Sequence, residues 1–293
     1  MSDLFLKAIQ RTISSPEERE TVPANAETEI ESDPSPVKDE ILDLINGLQP
    51  AFDRDVPKAA HTLNLAQLPE KLVGVASSDS PNAKSGFEQA RVLRTRVLEM
   101  MRSTKFRTLM ISSPVSGDGK TLVSTNLAFI LSQVDKRVLL VDADLRRGGV
   151  REFLNIHPTS GLNTYLVNGD SFQEVCWQVN PKLTIVPTAA LGNGAGELLN
   201  GSRMQSFLAS AREHFDIVIV DSPPLFPIAD AQILLRFIDA VLLVTCAGHT
   251  PFDLAKKAVD LLQGKLVGTI LNSSDESHSH SHYYYQEGAL ASR

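Results

Sequence analysis

Residues 108–121 have the sequence TLMISSPVSGDGKT, in which a short apolar run passes directly into a turn that contains two glycines. The last three residues, Gly119, Lys120 and Thr121, match the Walker A pattern, although Pro114 stands where that pattern usually has its first glycine. Glycines allow consecutive backbone N–H groups to curve around a phosphate, and the helix start that follows adds a partial positive charge. The stretch therefore predicts a phosphate-binding loop between a strand and a helix over residues 122–134.

Each polar side chain at the end of this loop has a chemical role. Lys120 would place its ammonium on the β- and γ-phosphates of a nucleotide, and Thr121 would offer its hydroxyl to Mg²⁺. The alternative is a glycine-rich turn with a solvated lysine. The aspartates that follow other predicted strands disfavour this alternative, because they predict a cation site beside the loop. The residues expected to bind the nucleotide are Ser116, Gly117, Asp118, Gly119, Lys120, Thr121 and Leu122.

Short apolar or β-branched runs recur along the chain, and most are separated by segments of helix length. Continuous apolar strands that alternate with helices indicate an α/β fold whose mainly parallel sheet is covered by helices on both faces, as in P-loop NTPases. Ligands bind at the carboxyl ends of the strands in such a sheet. The predicted strands are residues 108–111, 138–141, 183–186, 217–220, 240–244 and 267–271.

Carboxylates follow two of these predicted strands directly. Asp142 and Asp144 come after the strand at 138–141, and Asp221 comes after the strand at 217–220. Carboxylates beside a polyphosphate repel it unless a cation lies between them, so the sequence predicts Mg²⁺ held by Thr121, Asp142 and Asp221. A helix N-cap is the simpler alternative for each aspartate. Arg146 is expected either to bind phosphate or to pair with a neighbouring aspartate.

Bulk composition excludes several classes of protein. The 293 residues carry a net charge of −7, with a pI near 5.5, which argues against a general nucleic-acid binder. Two cysteines are too few for a disulfide framework, so a reducing, cytoplasmic compartment is expected. No secretory signal is recognised, and no apolar run approaches the ~20 residues of a membrane span. Any role at a membrane is therefore expected to be peripheral.

The composition also divides the chain into three predicted parts. Residues 1–82 are acidic, rich in proline and serine, and expected to be largely disordered. Residues 83–273 form the predicted P-loop domain. Residues 274–293 form a polar tail, in which three of the four tyrosines of the chain stand in a row as Tyr283, Tyr284 and Tyr285. The alternating histidines that precede them are interpreted as solvated polar residues rather than a metal site.

Taken together, these motifs resemble the bacterial tyrosine kinases of capsule and exopolysaccharide synthesis, in the form of a separate cytoplasmic kinase chain. The resemblance covers residues 83–286. It includes the loop ending at Thr121, the Asp142-x-Asp144-x-Arg146 motif, Asp221 with the two prolines that follow, and the run of tyrosines. It implies an enzyme that uses ATP and Mg²⁺, with catalytic residues Lys120, Asp142, Asp144 and Asp221. It leaves open whether Asp142 or Asp144 is the base.

The resemblance also implies partners. The sequence Glu88-x-x-Arg91-x-x-Arg94 is similar to the motif through which such kinases assemble into rings, although the same residues alone would be interpreted as a solvated helix face. The resemblance further implies autophosphorylation in trans at Tyr283, Tyr284 and Tyr285. It implies recruitment to the inner face of the membrane by a membrane-embedded activator on a separate chain.

Three departures and two rival functions accompany the resemblance. Ser116 replaces a usual proline, Cys246 stands where many members have arginine, and the tyrosines form one compact run. The first rival is a partitioning or cell-division ATPase of the same P-loop class, although Val115 stands where those proteins carry a lysine. The second rival is a nucleotide-binding scaffold of a polysaccharide export complex.

Overall fold

A computed structural model describes residues 58–63, 81–189 and 194–273 of the chain. Eight strands in these ranges form a single sheet, whose order in space is β1-β4-β5-β3-β6-β2-β7-β8. The strands are β1 (His61–Thr62), β2 (Thr108–Ser112), β3 (Val138–Asp142), β4 (Trp177–Asn180), β5 (Leu183–Val186), β6 (Ile217–Asp221), β7 (Ala240–Cys246) and β8 (Leu266–Asn272).

The sheet is mainly parallel, as the sequence predicts. Strands β5, β3, β6, β2, β7 and β8 run parallel to one another, β1 is parallel to β4, and among these eight strands only the β4–β5 pair is antiparallel. All six predicted strands are present. Strands β1 and β4 were not predicted, because β1 has only two residues and β4 has a single buried side chain and no continuous apolar run.

Along the chain, most helices lie between two consecutive strands, as expected for the crossover connections of a parallel sheet. The helix predicted to follow the loop begins two residues earlier than expected, at Lys120. The helices are α1 (Pro81–Thr104), α2 (Lys120–Ser132), α3 (Gly149–Leu154), α4 (Leu162–Asn168), α5 (Phe172–Val175), α6 (Ala195–Leu199), α7 (Ser202–His214), α8 (Asp230–Leu234) and α9 (Phe252–Leu261), with a 3₁₀ turn at Leu235–Phe237.

Each face of the sheet has its own apolar core. Successive side chains of a strand point to opposite faces, so Leu139 belongs to one core and Leu140 to the other. Helix α7 covers the first face with Phe207, and helix α2 covers the second face with Leu127, both of them fully or almost fully buried. The central strands are therefore buried on both sides, and polar side chains such as Asp142 and Asp221 lie at their carboxyl ends.

Residues 58–63 fall within the predicted N-terminal extension and nevertheless join the sheet. The His61 ring stacks on Trp177 with 4.3 Å between ring centroids, and the Leu63 N–H donates to the Gln178 carbonyl. The rest of the predicted extension, apart from residues 81–82 at the start of α1, lies outside the described residues, as do the predicted tail at 274–293 and Tyr283, Tyr284 and Tyr285. Among the described helices, none combines the length and the apolar character that crossing a membrane requires.

The Phe207 ring provides a direct test of the first core. It is fully buried and contacts the rings of Tyr165 and Phe172. Replacing it with alanine leaves a cavity, so we expect Phe207→Ala to lower the free energy of unfolding by about 3–5 kcal/mol. Urea unfolding followed by circular dichroism measures this change. Val167→Ala, at a half-exposed position, is the control and should change stability by less than about 0.5 kcal/mol. Similar losses in both variants would contradict this packing.

Candidate active site

The predicted phosphate loop joins the end of β2 to the start of α2. Gly117 and Gly119 have φ angles of 92° and 90°, which glycine adopts without strain. A Cβ at position 119 would also overlap the side-chain amide of Asn272. Lys120 is the first residue of α2 and is 95% buried, so its positive charge lies close to the helix start. Ser116 is exposed at the tip of the loop.

The side chain of Asp118 holds the loop from behind. It is fully buried, and its carboxylate accepts hydrogen bonds from the Val115 N–H at 3.2 Å and the Thr250 hydroxyl at 2.6 Å. The His249 Nδ1 atom lies 2.9 Å from the same carboxylate, and the Asn272 amide donates to the Asp118 carbonyl at 3.0 Å. The ends of β7 and β8 thus fix the loop, and the Asp118 side chain supports its shape.

Two carboxylates meet beside the loop because their strands are neighbours. Asp142 and Asp221 are direct partners in the β3–β6 register, and both are fully buried. The Thr121 hydroxyl donates to Asp221 Oδ2 at 2.7 Å, which joins the first turn of α2 to the end of β6. The structure therefore brings together the three residues that the sequence predicts as metal ligands.

Burial and mutual repulsion shift the ionisation of this pair. Burial, reinforced by the charges of Asp221 and Asp144, raises the pKa of Asp142 well above its usual value. Burial also raises the pKa of Asp221 to about 6, against the opposing effects of the Lys120 ammonium and the Thr121 hydrogen bond. Both carboxyl groups therefore favour either a proton or a bound cation close to them.

One atom of the pair indicates a cation. Asp221 Oδ1 is buried and has no hydrogen-bond partner, although its other oxygen is bonded to Thr121. A buried carboxylate oxygen without a partner is costly unless a cation or water satisfies it. Within the described ranges, no three His, Cys, Asp or Glu side chains cluster as a metal site. Mg²⁺ needs no such cluster, since it typically takes one or two carboxylates together with waters and phosphates, and the residues present fit it.

The turn after β3 shapes the second wall of the site. The N–H groups of Asp144 and Val150 donate to the two Asp142 oxygens at 3.2 and 3.0 Å, so the turn folds around that carboxylate. Gly149 lies so close to Thr121 that a Cβ there would be 2.8 Å from its hydroxyl oxygen. Asp144 is 93% buried and accepts from the Arg147 N–H. The turn thereby brings α3 against the start of α2.

A cavity of about 320 Å³ opens between the phosphate loop and this turn. Five of its lining residues are in the predicted phosphate-binding set, and four others come from the turn and α3, where the sequence offered no motif. The lining consists of Gly117, Gly119, Lys120, Thr121 and Leu122 from the loop and α2, and Arg147, Gly149, Glu152 and Phe153 from the opposite wall.

Arg146 adopts one of its two predicted arrangements. Its guanidinium donates to both carboxylate oxygens of Asp230, with Nε at 2.7 Å from Oδ2 and a terminal nitrogen at 3.3 Å from Oδ1. Asp230 is buried, and its carboxylate raises the pKa of Arg146 above the ordinary value. A phosphate contact by Arg146 stays a prediction, and this guanidinium does not line the cavity.

The predicted oligomerisation residues lie on α1. The Arg91 guanidinium donates to Glu88 at 3.0 Å, and both side chains are about half exposed or more. Arg94 follows one turn later and is half-buried. Three-residue spacing places these side chains along one helix surface. Their participation in a ring stays a prediction.

Sequence reasoning missed the residues behind the loop. His249 and Thr250 follow β7, and Asn272 ends β8, so all three lie at the same edge of the sheet as the phosphate loop. The available signal was their position after predicted strands, where polar residues converge on the ligand-binding edge. No motif marked them, and the strand order had to be known before they could be paired with Asp118.

Comparison with known proteins shows which proteins the chain is similar to. A family model described as an AAA domain matches residues 106–251. The chain is 34% identical over 202 residues to the tyrosine-protein kinase YwqD of Bacillus subtilis. The aligned segment covers 68% of this chain and 85% of YwqD. It is also 34% identical over 198 residues to the tyrosine-protein kinase Etk of Escherichia coli K12, but it spans only 27% of the length of Etk.

Solved structures agree with this similarity. The kinase domain of Escherichia coli ETK superposes with a TM-score of 0.62 at 31% identity, covering 69% of this chain and 81% of that domain. The septum site-determining protein MinD of Pyrococcus horikoshii, solved with Mg-ADP, superposes with a TM-score of 0.50 at 21% identity, covering 59% of this chain and 72% of MinD. The likeness to MinD concerns the fold alone.

Removing the Asp118 carboxylate tests whether it supports the loop. Asp118→Ala leaves the Val115 N–H and the Thr250 hydroxyl without their acceptor, so we expect it to lower the free energy of unfolding by about 2–3 kcal/mol. We also expect it to weaken Mg-nucleotide binding about tenfold, since the loop amides lose their fixed orientation. Thermal unfolding and calorimetric titration measure the two effects. Asp135→Ala, which removes an exposed carboxylate, should change neither, and equal effects in the two variants would contradict the supporting role.

The raised pKa of Asp221 makes a prediction about pH. A carboxyl whose pKa is about 6 when folded, against 3.8 ordinarily, retains its proton better in the folded chain, so its contribution to stability is lost as pH rises from about 3.8 to about 6. Between about pH 5 and about pH 8 we expect Mg²⁺-free protein to lose about 1.4 kcal/mol of stability from this group, because about one unit of the shift lies above pH 5 and one pKa unit is worth about 1.4 kcal/mol.

The matching variant is Asp221→Asn, which keeps the shape of the side chain and cannot ionise. Urea unfolding without Mg²⁺ at about pH 5 and about pH 8 should show a smaller loss of stability for this variant than for the wild type. Equal losses in the two proteins would show that Asp221 is not the titrating group.

Proposed function

The chain belongs to the bacterial tyrosine-protein kinase family, and from that premise we propose that it transfers the γ-phosphoryl group of ATP to tyrosine side chains of a second copy of itself. The acceptors are Tyr283, Tyr284 and Tyr285. The observation that carries the proposal is the buried Asp142–Asp221 pair, which lies beside the phosphate loop and is joined to it by Thr121. This arrangement provides both an anion cradle and a place for the cation that polyphosphate chemistry needs.

The residues of the loop have distinct tasks in the transfer. The Lys120 ammonium and the loop amides bind the phosphates and stabilise the negative charge that develops on them. Thr121, Asp142 and Asp221 are the residues that would hold Mg²⁺. The cation would neutralise part of the negative charge of the phosphates. Asp118 maintains the loop shape through its contacts with Thr250 and Val115.

A carboxylate activates the acceptor phenol. A tyrosine hydroxyl has a pKa near ~10 and must lose its proton as it attacks. Asp142 and Asp144 are the candidate bases. The raised pKa of Asp142 favours it as a proton acceptor, whereas the slight exposure of Asp144 makes it the easier of the two for a phenol to reach. We favour Asp142 as the base, with Asp144 orienting it through the hydrogen bond from its N–H.

Assembly brings one chain's tail to the next chain's site. We propose that Glu88, Arg91 and Arg94 contact a neighbouring chain and form a ring-like oligomer, since charge-assisted pairs on an exposed helix suit a polar interface. A membrane-embedded activator on a separate chain would recruit the ring to the inner face of the membrane. The process regulated is capsular or exopolysaccharide synthesis and export.

Phosphorylation of the tail would act as a switch. Each phosphotyrosine adds up to about 2 negative charges, so three of them bring a charge of roughly −6 to the site. The chain is already acidic, with a net charge of −7. Repulsion would then expel the tail and loosen the ring. A Tyr283/Tyr284/Tyr285→Phe triple variant should therefore keep the oligomer that the phosphorylated protein loses.

A partitioning or cell-division ATPase is the alternative, and the shared fold with MinD is the observation in its favour. Such an ATPase would hydrolyse ATP without labelling any tyrosine. The greater similarity to YwqD and to the ETK kinase domain favours the kinase.

Mass spectrometry of the tail tests the proposed reaction. After incubation of the full chain with ATP, Mg²⁺ and the membrane activator, we expect phosphate on residues 283–285. Lys120→Met should reduce the labelling by at least about 100-fold, since it removes the charge that stabilises the transferring phosphoryl group. Lys182→Ala, which removes an exposed ion-paired lysine before β5, is the control and should label normally. ATP hydrolysis without phosphotyrosine would contradict the assignment.

A further inference from the structure

The side chains of two adjacent arginines after β3, Arg146 and Arg147, have different surroundings. The Arg146 guanidinium is held by both oxygens of the buried Asp230 carboxylate. Arg147 lines the cavity together with Lys120 and Thr121, and its side chain is 58% exposed. Arg146 therefore has its charge compensated by a carboxylate outside the cavity, whereas Arg147 presents its charge to the cavity itself.

The backbone of the turn keeps Arg147 close to the cation site. Its N–H donates to Asp144 Oδ1 at 3.2 Å, and Gly149, two residues later, lies against the Thr121 hydroxyl. Two residues span at most about 7 Å of chain, a distance comparable to the length of an arginine side chain. The guanidinium can therefore reach a phosphate bound beside Thr121 without any rearrangement of the backbone.

The current partner of Arg147 is easily exchanged. Its Nε lies 3.2 Å from a carboxylate oxygen of Glu152, whose side chain is 55% exposed and also lines the cavity. Exposed ion pairs are weak because water screens them. A phosphate group offers three oxygens and a larger negative charge than a carboxylate, and it suits the planar guanidinium better.

The negative charges at the site favour a second positively charged side chain. Two buried carboxylates, Asp142 and Asp221, lie beside the phosphate loop, and Lys120 is buried at the start of α2. Phosphoryl transfer spreads further negative charge over the terminal phosphate oxygens, and an arginine supplied by the same chain can stabilise it.

This inference rests on the proposed function, in which ATP occupies the cavity. We propose that Arg147, rather than Arg146, binds the terminal phosphate of ATP. Before the nucleotide binds, the Arg147 guanidinium is paired with Glu152. Arg147 moves from Glu152 to the γ-phosphate when the nucleotide binds. Arg146 has a structural role, because its loss would leave the Asp230 carboxylate buried without its partner.

Paired affinity measurements test this assignment. Calorimetric titration of the full chain would give the Kd for Mg-ADP and for the Mg²⁺ complex of adenylyl imidodiphosphate, a non-hydrolysable ATP analogue. We expect Arg147→Ala to weaken binding of the analogue about tenfold while leaving Mg-ADP within about twofold, since only the analogue has a third phosphate for the guanidinium. Arg147→Lys should recover part of the loss.

The neighbouring variants sharpen the test. Arg146→Ala should lower the unfolding temperature without changing the ratio of the two Kd values, and Lys182→Ala should change neither. Glu152→Gln should bind the analogue more tightly than the wild type, because Arg147 is released. An unchanged ratio in Arg147→Ala, or a changed ratio in Arg146→Ala, would overturn the proposal. Since no phosphate is transferred in these titrations, an unlabelled tail would refute the proposed kinase reaction without altering their outcome.

Discussion

The hydrogen bond from Thr121 to Asp221 is the contact on which the rest of the site depends. It joins the first turn of the helix after the phosphate loop to the end of the central strand β6, at 2.7 Å between a half-buried hydroxyl and a fully buried carboxylate. Because β3 lies beside β6, the same contact brings Asp142 into place. Two buried carboxylates with raised pKa values lower stability unless a cation lies beside them, and a cation with a polyphosphate would relieve this cost.

The loop is held from two sides, and each side has a separate function. From behind, Asp118 ties it to the ends of β7 and β8 through Thr250 and Asn272. From the front, the turn at Gly149 presses against Thr121 and leaves the cavity open between them. Rigid support behind the loop and a polar wall with an exchangeable ion pair in front suit the proposed reaction, in which the site would bind a nucleotide and admit a second chain.

Much of this arrangement could be predicted from the sequence, for reasons that particular residues make clear. Buried parallel strands are continuous apolar runs, so the six predicted strands could be recognised in the sequence. Thr121, Asp142 and Asp221 follow the phosphate loop or a predicted strand, and the parallel order of the strands brings them to one edge of the sheet. Strand β4 was missed because only Val179 of its four residues is buried, so the strand forms no continuous apolar run. The partners of Asp118 and the different surroundings of Arg146 and Arg147 depend on contacts across more than 80 residues or on a tight turn, which local patterns do not encode.

The central claim is that this carboxylate-lined cradle delivers a phosphoryl group to a tyrosine of a sister chain. A mixing experiment tests it most directly. A Lys120→Met chain with an intact tail is combined with a Tyr283/Tyr284/Tyr285→Phe chain that has an intact site, in the presence of ATP, Mg²⁺ and the membrane activator. The account predicts phosphotyrosine at residues 283–285 of the Lys120→Met chain, which neither chain produces alone. A mixture that hydrolyses ATP but leaves those tyrosines unmodified would contradict it.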